Sequence, residues 1–213
     1  RYDLLNRVMT LGIDRAWRRR LVGELGLAPG ATVLDVGCGT GDLIDEVERS
    51  GGRAVGVDIS AGMLGECRRR RPGAFLVRAD AVELPLADEC CDGAVSAFAL
   101  RNFVSIADVL REVGRVVRPG GRIGLLEVDR PASAVVRRAF DAYFGRIVPL
   151  VGRALSRGYA YRYLSASLEY LPADGELASM LADAGFEAPV KRVLTAGAAQ
   201  IVLATKRGGG NGA

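Results

Sequence analysis

Short apolar runs alternate with segments of helical periodicity between residues 32 and 128. The runs predict five strands, at 32–37, 53–58, 74–79, 92–98 and 122–128. Apolar positions at helical spacing predict helices over about 41–50, 61–70 and 105–117. Strands that alternate with helices are typical of an α/β fold with a parallel sheet.

The C-terminal part of the chain has a different rhythm. The pattern predicts a helix at about 174–184, then strands near 186–194 and 200–206 joined by a turn at 195–197. Two strands with so short a connection form an antiparallel hairpin. Together with the five preceding strands, they predict a mostly parallel seven-stranded sheet with helices on both faces and a C-terminal antiparallel hairpin.

Two more segments are expected to be helical. Residues 1–27 have apolar positions at helical intervals, broken near Gly12, and predict an N-terminal helical cap. Residues 133–170 begin with a long amphipathic stretch, interrupted by Pro149, and predict a helical lid inserted into the domain. The basic face of this stretch is compatible with an anionic membrane surface, but packing against the chain's own sheet is favoured.

Composition narrows the class of protein. The glycine-rich residues 208–213 predict a disordered tail, so 1–207 is expected to be a single domain. The net charge is +4, but the arginines are scattered without interleaved aromatic residues, which is not typical of a nucleic-acid-binding protein. No run approaches the ~20 apolar residues of a membrane span.

The histidine and cysteine content of the chain argues against a metal site. The chain has no histidine, and its four cysteines form no C-x-x-C pair, so we expect no metal site. Cysteines in this pattern are typical of small buried thiols in a reducing compartment, which favours the cytoplasm.

A glycine-rich turn is the strongest indication of function. The first strand runs into Gly37-x-Gly39-x-Gly41, and Asp58 ends the second strand twenty-one positions after Gly37. Glycines at such a turn allow backbone amides to approach an adenosine-containing cofactor, and the acid accepts hydrogen bonds from ribose hydroxyls. The spacing differs from the G-x-G-x-x-G of dinucleotide binders, and Asp35 lies just before the turn, which favours S-adenosyl-L-methionine over NAD.

Polar residues follow the third and fourth strands as well. Asp80 is placed to face the adenine amino group beside the amide of Ala81, although an aspartate here could also cap a turn. Arg101 and Asn102 follow the fourth strand, at the edge that borders the reactive end of the cofactor. The alternative is that Arg101 pairs with an acid and that Asn102 caps the helix beginning near Ser105.

Several motifs resemble the ubiquinone/menaquinone biosynthesis C-methyltransferase family, within the Rossmann-like class I S-adenosylmethionine-dependent methyltransferases. They lie at residues 2–6 (YDLLN), 14–17 (DRAW), 100–102 (LRN), 115–122 (RVVRPGGR) and 161–164 (YRYL). The resemblance implies methylation of a ring carbon of a reduced polyprenyl quinol such as demethylmenaquinol, with S-adenosyl-L-methionine as cofactor.

The resemblance also implies the site residues. The expected cofactor-binding residues are Asp35, Gly37, Gly39, Thr40, Asp58, Ile59, Met63, Asp80, Ala81 and Ala97. The expected catalytic residues are Arg101, Asn102 and Tyr2. With no histidine in the chain, a water, Tyr2 or Glu127 could take the phenol proton, while Arg101 stabilises the phenolate.

Some positions depart from the family pattern and leave the acceptor open. Many members have histidine where Asp14 stands, serine where Ala97 stands and glycine where Ala99 stands. A secondary-metabolite methyltransferase acting on another phenol or polyketide is therefore an alternative, as is a non-catalytic cofactor-binding partner. A lipophilic quinol implies transient contact with the inner membrane surface, and homodimer formation stays open.

Overall fold

In the part of the chain that the structure describes, seven strands form one sheet with helices packed against it. The structure is a computed structural model, and it describes residues 12–129, Arg138 and residues 171–208. The elements in chain order are α1 (Asp14–Leu25), β1 (Thr32–Val36), α2 (Asp42–Arg49), β2 (Arg53–Asp58), α3 (Ala61–Arg70), β3 (Phe75–Arg78), β4 (Cys91–Ala97), α4 (Ile106–Val116), β5 (Val117–Val128), α5 (Asp174–Asp183), β6 (Phe186–Leu194) and β7 (Ala199–Lys206).

The strand order in the sheet is β3-β2-β1-β4-β5-β7-β6. The first five strands pair in parallel, whereas β7 runs antiparallel to both β5 and β6. The predicted α/β fold with a mostly parallel seven-stranded sheet and a C-terminal antiparallel hairpin is confirmed. Because β1 lies between β2 and β4, the carboxyl ends of these three strands meet at one edge.

The sheet separates two hydrophobic clusters, because successive side chains of a strand point to opposite faces. Val33 packs in one cluster with Leu21 of α1 and Ile44 of α2. The next residue of β1, Leu34, packs in the other cluster with Val113 of α4. Each fully buried side chain of this size contributes about 1.5–3 kcal/mol of transfer free energy. The helices therefore cover both faces, as expected.

Strand β5 begins at Val117, five residues earlier than the sequence predicts. The pairing with β4 shifts register between Cys91↔Val117 and Gly93↔Arg122, and Gly120 has a φ of 76° in between. A Pro-Gly-Gly sequence has the composition of a turn, but here it forms an irregularity within a longer strand. The predicted start of the fifth strand at residue 122 is corrected accordingly.

Parts of the expected organisation lie outside the described residues. Of the predicted N-terminal cap, α1 is described, and it packs against β5. Tyr2, the lid at 133–170 apart from Arg138, and the tail beyond Gly208 fall on residues of which nothing is described. None of the described helices has the length and apolar character needed to span a bilayer.

Candidate functional site

The glycine turn after β1 is closed by backbone hydrogen bonds. Gly37 N and Cys38 N both donate to Val57 O, at 2.8 and 3.0 Å. Gly37 has a φ of 70°, and a Cβ at this position would lie 2.7 Å from the Cβ of Ala99. The turn therefore joins β1, β2 and the residues after β4 more closely than any side chain at position 37 would allow.

The carboxylate of Asp58 connects this turn to the start of α3. Its Oδ2 accepts a hydrogen bond from Gly39 N at 2.9 Å, and its Oδ1 accepts one from Ser60 N at 2.8 Å. Gly39 has a φ of 54°, and a Cβ there would meet no atom within 4 Å. Asp58 is thus fixed in orientation beside a stretch of backbone that is open on one side.

Two arginines at the end of α3 donate hydrogen bonds to Thr40 of the glycine turn. Arg70 Nη1 donates to Thr40 Oγ1 at 3.0 Å, and Arg71 Nη1 donates to Thr40 O at 2.9 Å. Arg71 also forms an ion pair with Asp45 of α2. The charge distribution along the sequence suggested scattered surface arginines, whereas these two have a structural role in shaping the site.

A cavity of about 430 Å³ opens at the carboxyl ends of β1, β2 and β4. This volume suits a small organic ligand. All the predicted cofactor-binding residues line it: Asp35, Gly37, Gly39, Thr40, Asp58, Ile59, Met63, Asp80, Ala81 and Ala97. The structure thus brings these residues from four separate segments of the chain to one place.

The predicted catalytic residues Arg101 and Asn102 lie in different surroundings. Asn102 lines the cavity, but Arg101 is not among the described residues that do so. The Arg101 side chain is buried, and its Nη1 lies 2.8 Å from Oε1 of Glu127. The alternative that Arg101 pairs with an acid is therefore correct. The alternative that Asn102 caps α4 is wrong, because Ser105 Oγ accepts the hydrogen bond from Asp108 N.

The turn-capping role of Asp80 is confirmed, while its role toward adenine stays a prediction. Its Oδ1 accepts a hydrogen bond from Val82 N at 3.2 Å, which is the turn-capping role. The same residue lines the cavity beside Ala81 and Val82. Ile59 also lines the cavity, and 63% of its surface is exposed.

The environment of Asp35 strongly perturbs its carboxyl group. It is almost completely buried, and its Oδ2 has no hydrogen-bond partner among the described residues. Burial raises the pKa of Asp35 to about 7, while the charge of Arg18 opposes the shift and that of Asp58 adds to it. A buried acceptor without a partner is costly unless a ligand supplies the missing donor.

Phe98 also lines the cavity. It follows β4 with a φ of 58°, unusual for a residue with a large side chain, and its N–H donates to Leu126 O at 2.8 Å. Two guanidinium groups lie over its ring, with Arg18 at 5.2 Å and Arg101 at 6.0 Å from the ring centroid. These distances are typical of cation–π contacts.

The sequence reasoning missed Arg18, which lines the cavity from α1. Its Nη1 forms a buried ion pair with Oδ2 of Asp14, one helical turn earlier. The spacing of four residues between acid and base was a visible sign of this pair. Which side of α1 faces the cavity depends on packing against β5, which local sequence does not determine.

The described residues contain no group of carboxylates and thiols that could hold a metal ion. Each of the four cysteines is free, and Cys90 alone among them is exposed. Burial raises the pKa of the Cys38 thiol well above its usual range, so this thiol of the glycine turn is neutral.

Comparison with solved structures supports the fold. A SAM-dependent methyltransferase from Aquifex aeolicus superposes with a TM-score of 0.62 at 18% identity, covering 88% of each chain. Phosphoethanolamine N-methyltransferase 2 from Haemonchus contortus, solved with S-adenosyl-L-methionine, has a TM-score of 0.67 at 14% identity, covering 90% of this chain and 52% of that one. At these identities the likeness concerns the fold alone.

Comparison with curated proteins gives higher identity. Ubiquinone/menaquinone biosynthesis C-methyltransferase UbiE from Syntrophotalea carbinolica is 40% identical over 203 residues, covering 92% of this chain and 86% of that protein. Demethylmenaquinone methyltransferase from Roseiflexus castenholzii is 40% identical over 212 residues, covering 97% and 89%.

A family model also matches residues 1–206, and its description is the ubiE/COQ5 methyltransferase family. The predicted methyltransferase activity and the predicted cofactor, S-adenosyl-L-methionine, are confirmed at the level of the family. Since the family model spans nearly the whole chain and the relatives agree with it, the chain belongs to the ubiE/COQ5 methyltransferase family.

Proposed function

We propose that the chain transfers a methyl group from S-adenosyl-L-methionine to a ring carbon of a reduced polyprenyl quinol such as demethylmenaquinol. The observation that carries the proposal is the cavity in which the expected cofactor residues meet Asn102. The names of two relatives with 40% identity supply the class of acceptor.

The cavity residues fit this cofactor. The carboxylate of Asp58 accepts two backbone hydrogen bonds and still has lone pairs for ribose hydroxyls. The open space over Gly39 leaves room for the nucleoside beside that carboxylate. Asp80 and Ile59 are suited to the edge and the face of adenine. The buried Oδ2 of Asp35 is suited to a cationic donor.

When bound, the cofactor supplies a methyl group on a sulfonium sulfur, which leaves as a neutral thioether without help from an acid. The chain's own task is to align the acceptor carbon, exclude water and assist the loss of a phenol proton. Asn102 lines the cavity and is suited to orient the quinol ring through its amide group.

Arg101 is proposed to act indirectly, through neighbouring residues that line the cavity. Its charge is opposed by Glu127, and its guanidinium lies 6.0 Å from the Phe98 ring centroid. We assign it a positioning role for Phe98 and for the turn that holds Asn102, with a longer-range electrostatic effect on a phenolate. Since Glu127 is paired with Arg101, we favour water or Tyr2 as acceptor of the phenol proton.

The mouth of the cavity is apolar, which suits a lipophilic acceptor. Ile59, Val82 and Val104 line it and are exposed, Val104 to 90%. We infer that the quinol is taken up during transient contact of this cytoplasmic protein with the membrane surface. Homodimer formation stays a prediction.

The proposal is tested with the purified chain, S-adenosyl-L-methionine and demethylmenaquinone carrying a short isoprenoid tail. Under anaerobic conditions the quinone is either reduced chemically or left oxidised, and the products are measured by mass spectrometry. We expect methylated product and S-adenosylhomocysteine with the quinol and neither with the quinone. Methylation of an unrelated phenol or polyketide with none of the quinol would overturn the proposal.

A further inference from the structure

The charge of the cavity is unbalanced. Its lining contains four carboxylates, those of Asp35, Asp42, Asp58 and Asp80, and among the described lining residues Arg18 is the one cation. The cofactor brings a sulfonium, an α-ammonium and an α-carboxylate. The two positive groups suit such a cavity, but an anion placed beside carboxylates needs a cationic partner.

Arg18 has the properties of such a partner. It is buried, with 8% of its surface exposed, so its charge is only weakly screened by solvent. Nη1 is engaged by Asp14, and among the described residues the other guanidinium nitrogens have no hydrogen-bond partner. A guanidinium has five donors in a planar fork, so a second edge is available for a carboxylate. The Phe98 ring at 5.2 Å limits the movement of the group.

Asp35 provides the second, independent observation. Its buried Oδ2 lacks a partner among the described residues, and the carboxyl group lines the same cavity as Arg18. Among the charged groups acting on Asp35, Arg18 has the largest effect. An acid of β1 and a base of α1 therefore line one cavity and interact electrostatically. That arrangement matches an ammonium and a carboxylate on one carbon atom.

We propose that Arg18 binds the α-carboxylate of S-adenosyl-L-methionine, next to the expected cofactor-binding residue Asp35. The inference rests on the proposed function only for the identity of the cofactor, and not for the acceptor. Asp14 is a positioning residue in this arrangement, because it fixes the guanidinium without contacting the ligand.

Binding of three related ligands distinguishes a ligand-binding role of Arg18 from a merely structural one. S-adenosyl-L-methionine has both groups, decarboxylated S-adenosylmethionine lacks the carboxylate, and 5′-methylthioadenosine lacks the whole amino acid. Dissociation constants are measured by calorimetry for the wild-type chain and for Arg18→Met. We expect Arg18→Met to weaken the binding of S-adenosyl-L-methionine about 10- to 100-fold, which is the effect of losing one charged hydrogen-bonded contact. The dissociation constants of the other two ligands should change by less than about twofold.

The matched control is Arg20→Met. Arg20 forms the same kind of pair with Glu24 on the exposed side of the same helix, with Nε to Oε1 at 2.6 Å. This variant should bind all three ligands like the wild type. If Arg18→Met does not fold, Arg18→Lys keeps the charge without the fork, and we expect it to lose about threefold to tenfold for S-adenosyl-L-methionine only.

Equal losses for all three ligands, or no loss for S-adenosyl-L-methionine, would overturn the inference. A wild-type chain that discriminates between the ligands as expected but methylates no quinol would leave the inference intact. In that case the proposed acceptor would be wrong.

Discussion

The proposal assigns one part of the cavity to the nucleoside and another to the reacting groups. These parts, called the nucleoside end and the reactive end, are built in different ways. At the nucleoside end, Asp58 and Gly39 are held by backbone hydrogen bonds between segments that are close in sequence. At the reactive end, Phe98 contacts Arg18 of α1 and Arg101 of the turn after β4, and Arg101 is paired with Glu127 of β5. The first end can bind one cofactor with little dependence on side-chain packing. The second depends on buried ion pairs whose formation requires the whole fold.

The largest effect is expected at the reactive end, from the pair between Arg101 and Glu127. Arg101→Met leaves the Glu127 carboxylate buried without its partner, which should cost about 3–5 kcal/mol of unfolding free energy. The double variant Arg101→Met/Glu127→Leu removes both charges and should recover most of that loss. Urea unfolding of the single and double variants measures the difference.

The turnover of the double variant distinguishes a role of Arg101 in catalysis from a role in stability alone. If Arg101 positions Phe98 and Asn102, the double variant should remain slow in methyl transfer although its stability is recovered, and its affinity for the cofactor should be nearly unchanged. Recovery of turnover together with stability would show that the pair serves folding alone.

A second large effect is expected at the nucleoside end, from Asp58→Ala. The change removes the acceptor for ribose hydroxyls and should weaken the binding of S-adenosyl-L-methionine about 100-fold. It also leaves Gly39 N and Ser60 N without their acceptor, so Asp58→Asn, which keeps one oxygen, serves as the control. Calorimetry gives the affinities, and an unchanged dissociation constant in Asp58→Ala would refute the ribose role.

Two glycines of the same turn give a matched pair of smaller effects. Gly37→Ala adds a Cβ 2.7 Å from that of Ala99 at a positive φ, and should cost about 3 kcal/mol of stability. Gly39→Ala meets no atom within 4 Å, and should cost about 1 kcal/mol through its positive φ while still weakening cofactor binding. Thermal unfolding and calorimetry separate the two. Equal losses of stability would contradict the described packing.

The smallest effect is a dependence of cofactor affinity on pH. The pKa of Asp35 is raised to about 7 by burial, with Arg18 and Arg71 opposing the shift and Asp58 and Asp42 adding to it. Only the ionised carboxylate suits an ammonium, so affinity should increase several-fold from about pH 5.5 to about pH 7, where the α-amino group is still protonated.

The stability of the cofactor-free protein should change in the opposite direction. The pKa of Asp35 is higher in the folded than in the unfolded state, so the folded state binds the proton more tightly. Unfolding free energy should therefore fall as the pH rises from about 4 to about 7. Asp35→Asn should remove both trends, and trends that persist in that variant would assign them to another group.

The sequence allowed the sheet and the nucleoside end to be predicted because their signals are local. Gly37 and Asp58 lie on consecutive strands, and a glycine turn followed by an acid has few other uses. The start of β5 was predicted wrongly because Pro119 and Gly120 have the composition of a turn, while pairing with β4 keeps them in the strand.

The reactive end could not be predicted in the same way. Arg18 reaches the cavity because α1 packs on β5, and Trp17 beside it donates to Thr195 Oγ1, 178 positions away. The pairing of Arg101 with Glu127 joins the turn after β4 to β5. Such contacts depend on tertiary packing, and nothing in the local spacing of these residues specifies them.

The most direct test of the account is a crystal structure of the chain with S-adenosylhomocysteine, the product form of the cofactor. The account predicts its ribose hydroxyls within hydrogen-bond distance of Asp58 and its amino-acid carboxylate on Arg18. A nucleoside bound elsewhere, with Asp58 contacting only Gly39 N and Ser60 N, would contradict it.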